Sequence, residues 1–315
     1  MSRTTLSALV LLTFALSCTA VFAQDPEETT KIEPSTSESK SFKLLRSDTS
    51  AASDLDLAEE QAEAWIPGLQ PGKVELSLGV GFLNLNTTLL QHDQIIYKYT
   101  TEATFWGDVE IKGESAFAPT LRLGYGLTRW FALEGWAGVS FSKYKATVTN
   151  SHSRKNEPGA PIVDNPPLAE FDEENRSLIT LQAGINAVIY PFAIGGDGDG
   201  IWHPYVTAGA GGMSYDMNSN YTAGPASSVD VNAGAGIRLL VDDAVSLRFE
   251  VMYHHNTLEW TPADYFLELN EGTTRVPLNE YFYDENGALQ ERPVTEFASH
   301  TLGLLQWSIG VQGSF

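Results

Sequence analysis

The residue types best suited to chemistry in this sequence are His254-His255-Asn256, with Thr257 beside them, and Ser299-His300. An imidazole activates a hydroxyl nucleophile only when the two lie within hydrogen-bond reach. The two clusters are far apart in the chain, so the fold decides whether they meet. The competing reading is a set of histidines at a strand end. A second candidate, Asp197-Gly198-Asp199-Gly200, begins like a calcium loop but lacks the later ligands and the closing Glu, so it reads as a Gly-rich turn. No catalytic, cofactor-binding or metal site is assigned. The third set is six charges on otherwise regular strands: Glu75, Arg122, Glu134, Arg238, Arg248 and Glu250. Such charges, buried in a narrow space, are costly unless they pair.

The elements that must position these groups follow from a period of two. Val74, Leu76, Leu78, Val80 and Phe82 alternate with Lys73, Glu75, Ser77, Gly79 and Gly81, the signature of a strand with one apolar and one small or polar face. The same alternation marks Leu121–Leu127, Phe131–Phe141, Ile179–Ile189, Val229–Val241, Val245–Tyr253 and Leu305–Phe315. A further strand, about Trp202–Tyr215, has small residues on both faces. Eight strands are expected, all-β and antiparallel.

The segments before them are of another kind. Arg3 followed by the apolar run Leu6–Leu16 and Val21-Phe22-Ala23 reads as a signal peptide over 1–23. The single cysteine, Cys18, lies within it and is a candidate lipid acceptor; with cleavage after Ala23 the mature chain has none. Residues 24–70 are acidic and rich in Ser and Thr, too polar to offset the entropy of ordering, so a mostly disordered or partly helical linker is expected. Residues 71–315 form the third segment. The whole chain carries 40 acidic against 19 basic residues, a net charge of −21, which argues against nucleic acid as a partner. No apolar run after the signal is long enough for a transmembrane helix.

Three features place these strands in a membrane. Connections alternate between tight turns, as at Gly126-Leu127-Thr128-Arg129 and Val241-Asp242-Asp243-Ala244, and long segments, as at 89–110, 144–176, 216–228 and 254–299. Aromatics gather at strand ends. Tyr125, Trp130, Phe131, Tyr190, Phe192 and Trp202 form one expected girdle; Phe105, Trp106, Phe141, Tyr144, Tyr215 and Tyr253 form the other. Third, the wide face of each strand is apolar, while the opposite face carries the six charges with Gly, Ser, Asn and Gln. A water-soluble sheet would bury its apolar face. Leu302 and Leu304 break the pattern by falling on the inner face.

The last strand, His300-Thr301-Leu302-Gly303-Leu304-Leu305-Gln306-Trp307-Ser308-Ile309-Gly310-Val311-Gln312-Gly313-Ser314-Phe315, resembles the C-terminal signature of bacterial outer-membrane barrels. Trp202–Gly211 and Leu247–Tyr253 are similar to strands of the OmpA/OmpX-type outer membrane protein beta-barrel family. The resemblance covers 71–315. It implies an eight-stranded up-and-down transmembrane β-barrel in the outer membrane of a Gram-negative cell. It also implies that Phe315 is read by the barrel-assembly machinery. With an even strand number, both ends lie on the periplasmic side. The expected surroundings are outer-membrane lipids and lipopolysaccharide. Eight strands leave room only for side chains, so a structural or surface-interaction barrel with a plugged lumen is the first expectation, and it is not an enzyme. A small channel or transporter for small or apolar ligands is the second; the Gly-rich inner faces motivate it. A lipid A-modifying enzyme is the third, because His254-His255-Asn256 loosely resembles the site of barrel-type deacylases, with Thr257 where those carry Ser.

Overall fold

The computed structural model describes residues 72–169, 171, 173, 176–194, 201–241, 244–268 and 273–315. The signal segment with Cys18, the acidic linker and Asp197-Gly198-Asp199-Gly200 lie outside the described residues. In chain order the strands are β1 Val74–Asn84, β2 Thr88–Tyr99, β3 Ala103–Gly113, β4 Ala116–Phe117, β5 Thr120–Gly126, β6 Phe131–Lys155, β7 Ile162–Asp164 and β8 Ser177–Ile189. They continue as β9 Trp202–Met217, β10 Ala226–Leu240, β11 Val245–Leu258, β12 Tyr265–Glu268, β13 Thr274–Pro277, β14 Asn279–Tyr283, β15 Leu289–Pro293 and β16 His300–Ser314.

Eight of these close a ring. Each of β1, β5, β6, β8, β9, β10, β11 and β16 pairs antiparallel with the next, and β16 returns to β1. Closure satisfies every ladder and leaves no open edge, which is what a bilayer demands of a sheet. The wall has one break. β4 and β5 are a single line interrupted at Pro119, which has no N–H to give the ladder; its carbonyl still accepts from the Val139 N–H at 3.2 Å. Both ends of the described chain meet at the short-turn end, where the Phe315 N–H donates to the Val74 carbonyl at 2.9 Å.

Alternation decides what faces where. Leu76, Leu78, Val80, Phe82, Leu123, Ile185, Val231, Trp307, Ile309 and Val311 are exposed on the outside, while Glu75, Ser77, Arg122, Glu134, Asn186, Arg238, Arg248 and Glu250 are buried inside. Exposing that much large apolar surface is favourable only where the surrounding solvent is itself apolar.

The long connections are more ordered than loops. Residues 89–110, expected as a loop, form the β2–β3 hairpin. β6 runs for 25 residues, beyond the barrel and into the stretch expected to be loop from Tyr144. Its first half pairs with β5 and β8, its second with β3 and β7. With β14 and β15 joined to β2, the sheet continues past the long-loop end in the order β15-β14-β2-β3-β6, with β7 also paired to β6. Alternation missed β2 and β3 because bulges interrupt them: register shifts fall at His92/Ile95 and Trp106/Asp108.

One apolar core joins this cap to the barrel. Leu89, Ile95, Trp106, Val109, Ile111 and Trp260 of the cap belong to the same cluster as Leu83, Leu178, Met213, Leu258, Leu302 and Leu304 inside the ring. Leu302 and Leu304 are therefore the floor of a cap core, which explains their departure from the polar-inside pattern.

The girdles need correction. Tyr125, Trp130, Phe192 and Trp202 are exposed on the outer face at the short-turn end, but Tyr190 is buried. At the other end only Phe141 and Tyr253 point outward; Tyr144 and Tyr215 are buried and Trp106 packs in the cap. Tyr144 shares the inward parity of Glu134 and Ser140 on β6, and Tyr190 continues that of Asn186 and Val188 on β8, so the period-two register itself keeps both out of a girdle that position at a strand end had suggested.

Candidate functional site: the filled lumen

The interior is stacked in layers, each set by the inward positions of several strands. At the short-turn end Ala132, Val188, Tyr190, Ala193 and Tyr205 form a small apolar floor. Beside it, Arg238 on β10 donates to Glu75 on β1 at 2.6 Å and to Ser246 at 2.8 Å, and Gln312 donates to Glu75 at 2.5 Å.

Above lies a four-charge square. Arg122 donates to Glu134 at 2.7 Å and also to Glu250. Arg248 donates to Glu250 at 2.5 Å and to Glu134. Each acid thus meets both bases. Tyr205 completes the square: its hydroxyl donates to Glu250 at 2.8 Å, and its oxygen accepts from Arg248 Nε at 2.6 Å. The Arg248 guanidinium also lies 4.7 Å from the Tyr205 ring centroid. Three acids and three bases balance, and all six are buried. Arginine suits this role because its planar fork bridges two carboxylates at once.

Next comes a polar layer. His254 Nδ1 lies 2.8 Å from Asp230 Oδ2, and its Nε2 lies 3.2 Å from Gln306 Oε1. Asn232 donates to Asp230 at 3.1 Å, Gln182 donates to Gln306 at 3.4 Å, and the Trp136 indole donates to Asn186 at 2.9 Å. Trp136 packs edge-on against His254 with centroids 5.7 Å apart. The apolar cap core closes the top. Asp230 could have been found from parity alone, since Val229 and Val231 point outward. Its partner His254, on the next strand, could not.

The histidine cluster comes apart. His254 faces inward and is buried, His255 faces outward, and Asn256 faces inward to Tyr215, whose hydroxyl donates to it at 3.1 Å. β11 continues to Leu258, so His254 lies inside the barrel rather than at a strand end. Thr257 points outward and pairs across with Thr301, while His300 pairs with Leu258. Neither Thr257 nor Ser299 is a partner of His254, whose two ring nitrogens face Asp230 and Gln306. The Gly-rich faces do not line open space either. A Cβ on Gly81 would lie 1.9 Å from the Trp307 carbonyl oxygen, and one on Gly209 would lie 2.1 Å from that of Ile185. These glycines let neighbouring strands approach closely. Among the described residues, no cluster of three or more His, Cys, Asp or Glu is arranged to hold a metal ion.

An apolar outer belt, a closed antiparallel wall and a salt-bridged interior together define a small integral β-barrel. The chain belongs to the Outer membrane protein beta-barrel domain family, whose model matches residues 9–271, and its place is the cell outer membrane. It is similar to the outer membrane protein OprG from Pseudomonas aeruginosa at 9% identity, over 78% of this chain and 97% of that one, with a TM-score of 0.44. It is also similar to Neisserial surface protein A, at 10% identity over 78% and 97%, with a TM-score of 0.36. Ail, the attachment invasion locus protein of Yersinia pestis, is similar at 9% identity over 78% and 100%, with a TM-score of 0.31. A comparison with curated proteins returns no match.

Proposed function

We propose that the protein is a non-conducting outer-membrane barrel whose work is done by the ordered cap at its long-loop end, a structural or surface-interaction role. The observation that carries this reading is the filling of the lumen at every level: apolar floor, charge square, polar layer and apolar cap core. Eight strands enclose little more than side chains, and here each layer is tied across the ring. In this reading residues 1–23 are a cleaved signal, 24–70 an acidic periplasmic linker, and 71–315 the barrel. Both barrel ends face the periplasm and the cap faces outward. Phe315 is the signal for the assembly machinery, and lipopolysaccharide surrounds the cap.

The reading assigns no enzymatic role; it is supported by His254, the candidate base, being enclosed with Asp230 and Gln306 and meeting no hydroxyl nucleophile among the described residues. Planar-bilayer recording tests it. The folded protein should give no current steps above baseline; reproducible steps would establish a channel instead. Unchanged lipid A profiles on expression are expected as well.

A further inference from the structure

The polar layer of the lumen contains more hydrogen-bonding groups than its own side chains satisfy. Asp230 Oδ1, Asn232 Oδ1, Gln182 Oε1, Asn186 Nδ2 and Gln306 Nε2 are buried and have no partner among the described residues. One step toward the cap, Ser140 Oγ and Thr180 Oγ1, on cross-strand partners, are in the same condition. These atoms belong to one connected set. Asp230 binds His254 and Asn232, His254 faces Gln306, Gln306 accepts from Gln182, and Trp136 lies between His254 and Asn186. Two of the amide orientations are fixed chemically. An indole N–H can only donate, so Asn186 must turn its oxygen to Trp136 and its amine away. A carboxylate only accepts, so Asn232 must turn its amine to Asp230 and its oxygen away.

Buried polar groups left without partners are strongly unfavourable and uncommon in folded proteins. The chemistry of the free atoms selects what satisfies them. Three are acceptors, including one anionic oxygen; two are amide donors; two are hydroxyls that can be either. A cation would serve only the acceptors and an anion only the donors. A small amphoteric molecule serves both.

We infer that this layer is an internal water-binding site, a small cluster of long-lived water molecules held between the charge square and the cap core. The inference rests on the plugged-lumen reading, because the site is sealed on both sides. Water donates to Asp230 Oδ1, Asn232 Oδ1 and Gln182 Oε1, and accepts from Asn186 Nδ2 and Gln306 Nε2. The layer is therefore hydrated without being a passage.

The test uses the full chain folded in lipid bilayers and water-edited proton NMR, with added gadolinium chelate that cannot enter the barrel. Magnetisation from water should reach the side-chain amides of Asn186, Gln182, Asn232 and Gln306 and the Trp136 indole, and should survive the chelate. The exposed Asn286 amide should lose its water signal. Absence of transfer at the interior amides, with Asn286 still receiving it before chelate is added, would overturn the site. Transfer that the chelate quenches would overturn the sealed form. Current steps in planar bilayers would instead overturn the plugged reading, and a site that is dry and non-conducting would sink the hydration alone. As a second readout, Gln306→Met should remove transfer to the Gln182 amide; unchanged transfer there would count against a shared cluster.

Discussion

Arg238 stands 163 positions from Glu75 in the chain, yet its Nη1 donates to that carboxylate at 2.6 Å. The two are not on neighbouring strands: β11 and β16 lie between β10 and β1 in the ring. The bond therefore spans the inner face of two intervening strands and ties the wall to itself near the point where the ring closes. Ser246 and Gln312, from the two intervening strands, complete the same cluster.

A double-mutant cycle on this pair should show strong coupling. Arg238→Met leaves Glu75 charged and buried, which costs about 3–5 kcal/mol for pairs of this kind. Glu75→Gln alone strands the guanidinium in the same way. The double variant removes both charges and should lose much less than the sum of the singles. Urea unfolding from lipid vesicles, followed by heat-modifiable gel migration, measures all four corners. Additive losses would mean that the two side chains do not act together.

The outward face was legible because lipid-facing strands alternate strictly, as Leu76, Leu78, Val80 and Phe82 do. Parity then assigned the inward charges to a common interior without saying which would meet. That Arg122 bridges two acids while Arg238 serves one depends on the stagger of the strands, which no single strand encodes. The cap was not legible. Leu89 and Leu90, and then Ile95, Ile96 and Tyr97, are consecutive buried residues. Runs like these do not alternate, because bulges shift the register between them and the cap buries parts of both sheet faces. Asp230 and His254 were each readable as polar, but their pairing needed the β10–β11 register, in which His254 lies opposite Asn232.

Close strand approach makes the β1–β16 seam intolerant of a methyl group at Gly81. At Gly81 an added Cβ would be 1.9 Å from the Trp307 carbonyl oxygen, a backbone atom that cannot swing away. Gly81→Ala should force β1 and β16 apart and sharply lower the fraction of protein that migrates as the compact unboiled form. Gly224→Ala is the control, since a Cβ there meets nothing within 4 Å. Equal folded fractions for the two variants would show that the closing seam is more compliant than its geometry implies.

Asp108 gathers the bulged strands of the cap. Its Oδ1 accepts from the Gln94 backbone N–H at 3.0 Å and from Gln94 Nε2 at 2.8 Å, and its Oδ2 accepts from Asn150 Nδ2. Gln94 and Asn150 both have positive φ, 51° and 48°, a conformation that costs a glutamine more than an asparagine. Asp108→Ala removes the acceptor of the half-buried Gln94 backbone N–H, while Gln94 Nε2 keeps the Asn150 carbonyl and the exposed Asn150 amide turns to water, so the cap should weaken locally by about 1 kcal/mol. Limited proteolysis of intact cells or vesicles should then cut within residues 88–113 faster than in the parent protein, with the barrel fragment still heat-modifiable. Unchanged cleavage would show that the bulges hold without the carboxylate.

The β14–β15 hairpin should be released by acid. Glu280 is partly buried, which on its own would raise its pKa, but hydrogen bonds from Arg292 and His92 outweigh this and hold the carboxyl below its ordinary value. His92 Nε2 lies 2.5 Å from the carboxylate, linking the hairpin to β2. A carboxyl whose folded pKa is depressed adds stability that is fully present above its unfolded value, about 4.3, and is lost as pH falls through the lower folded value. The hairpin should therefore stay docked at neutral pH and loosen below about pH 4. Tyr281 reports the event, because its ring stacks on Trp106 with centroids 4.5 Å apart. NMR signals of residues 279–293 should shift in that acid range in the parent protein. In Glu280→Gln they should be displaced already at neutral pH and change little on acidification. An identical acid transition in the two proteins would assign the release to another group.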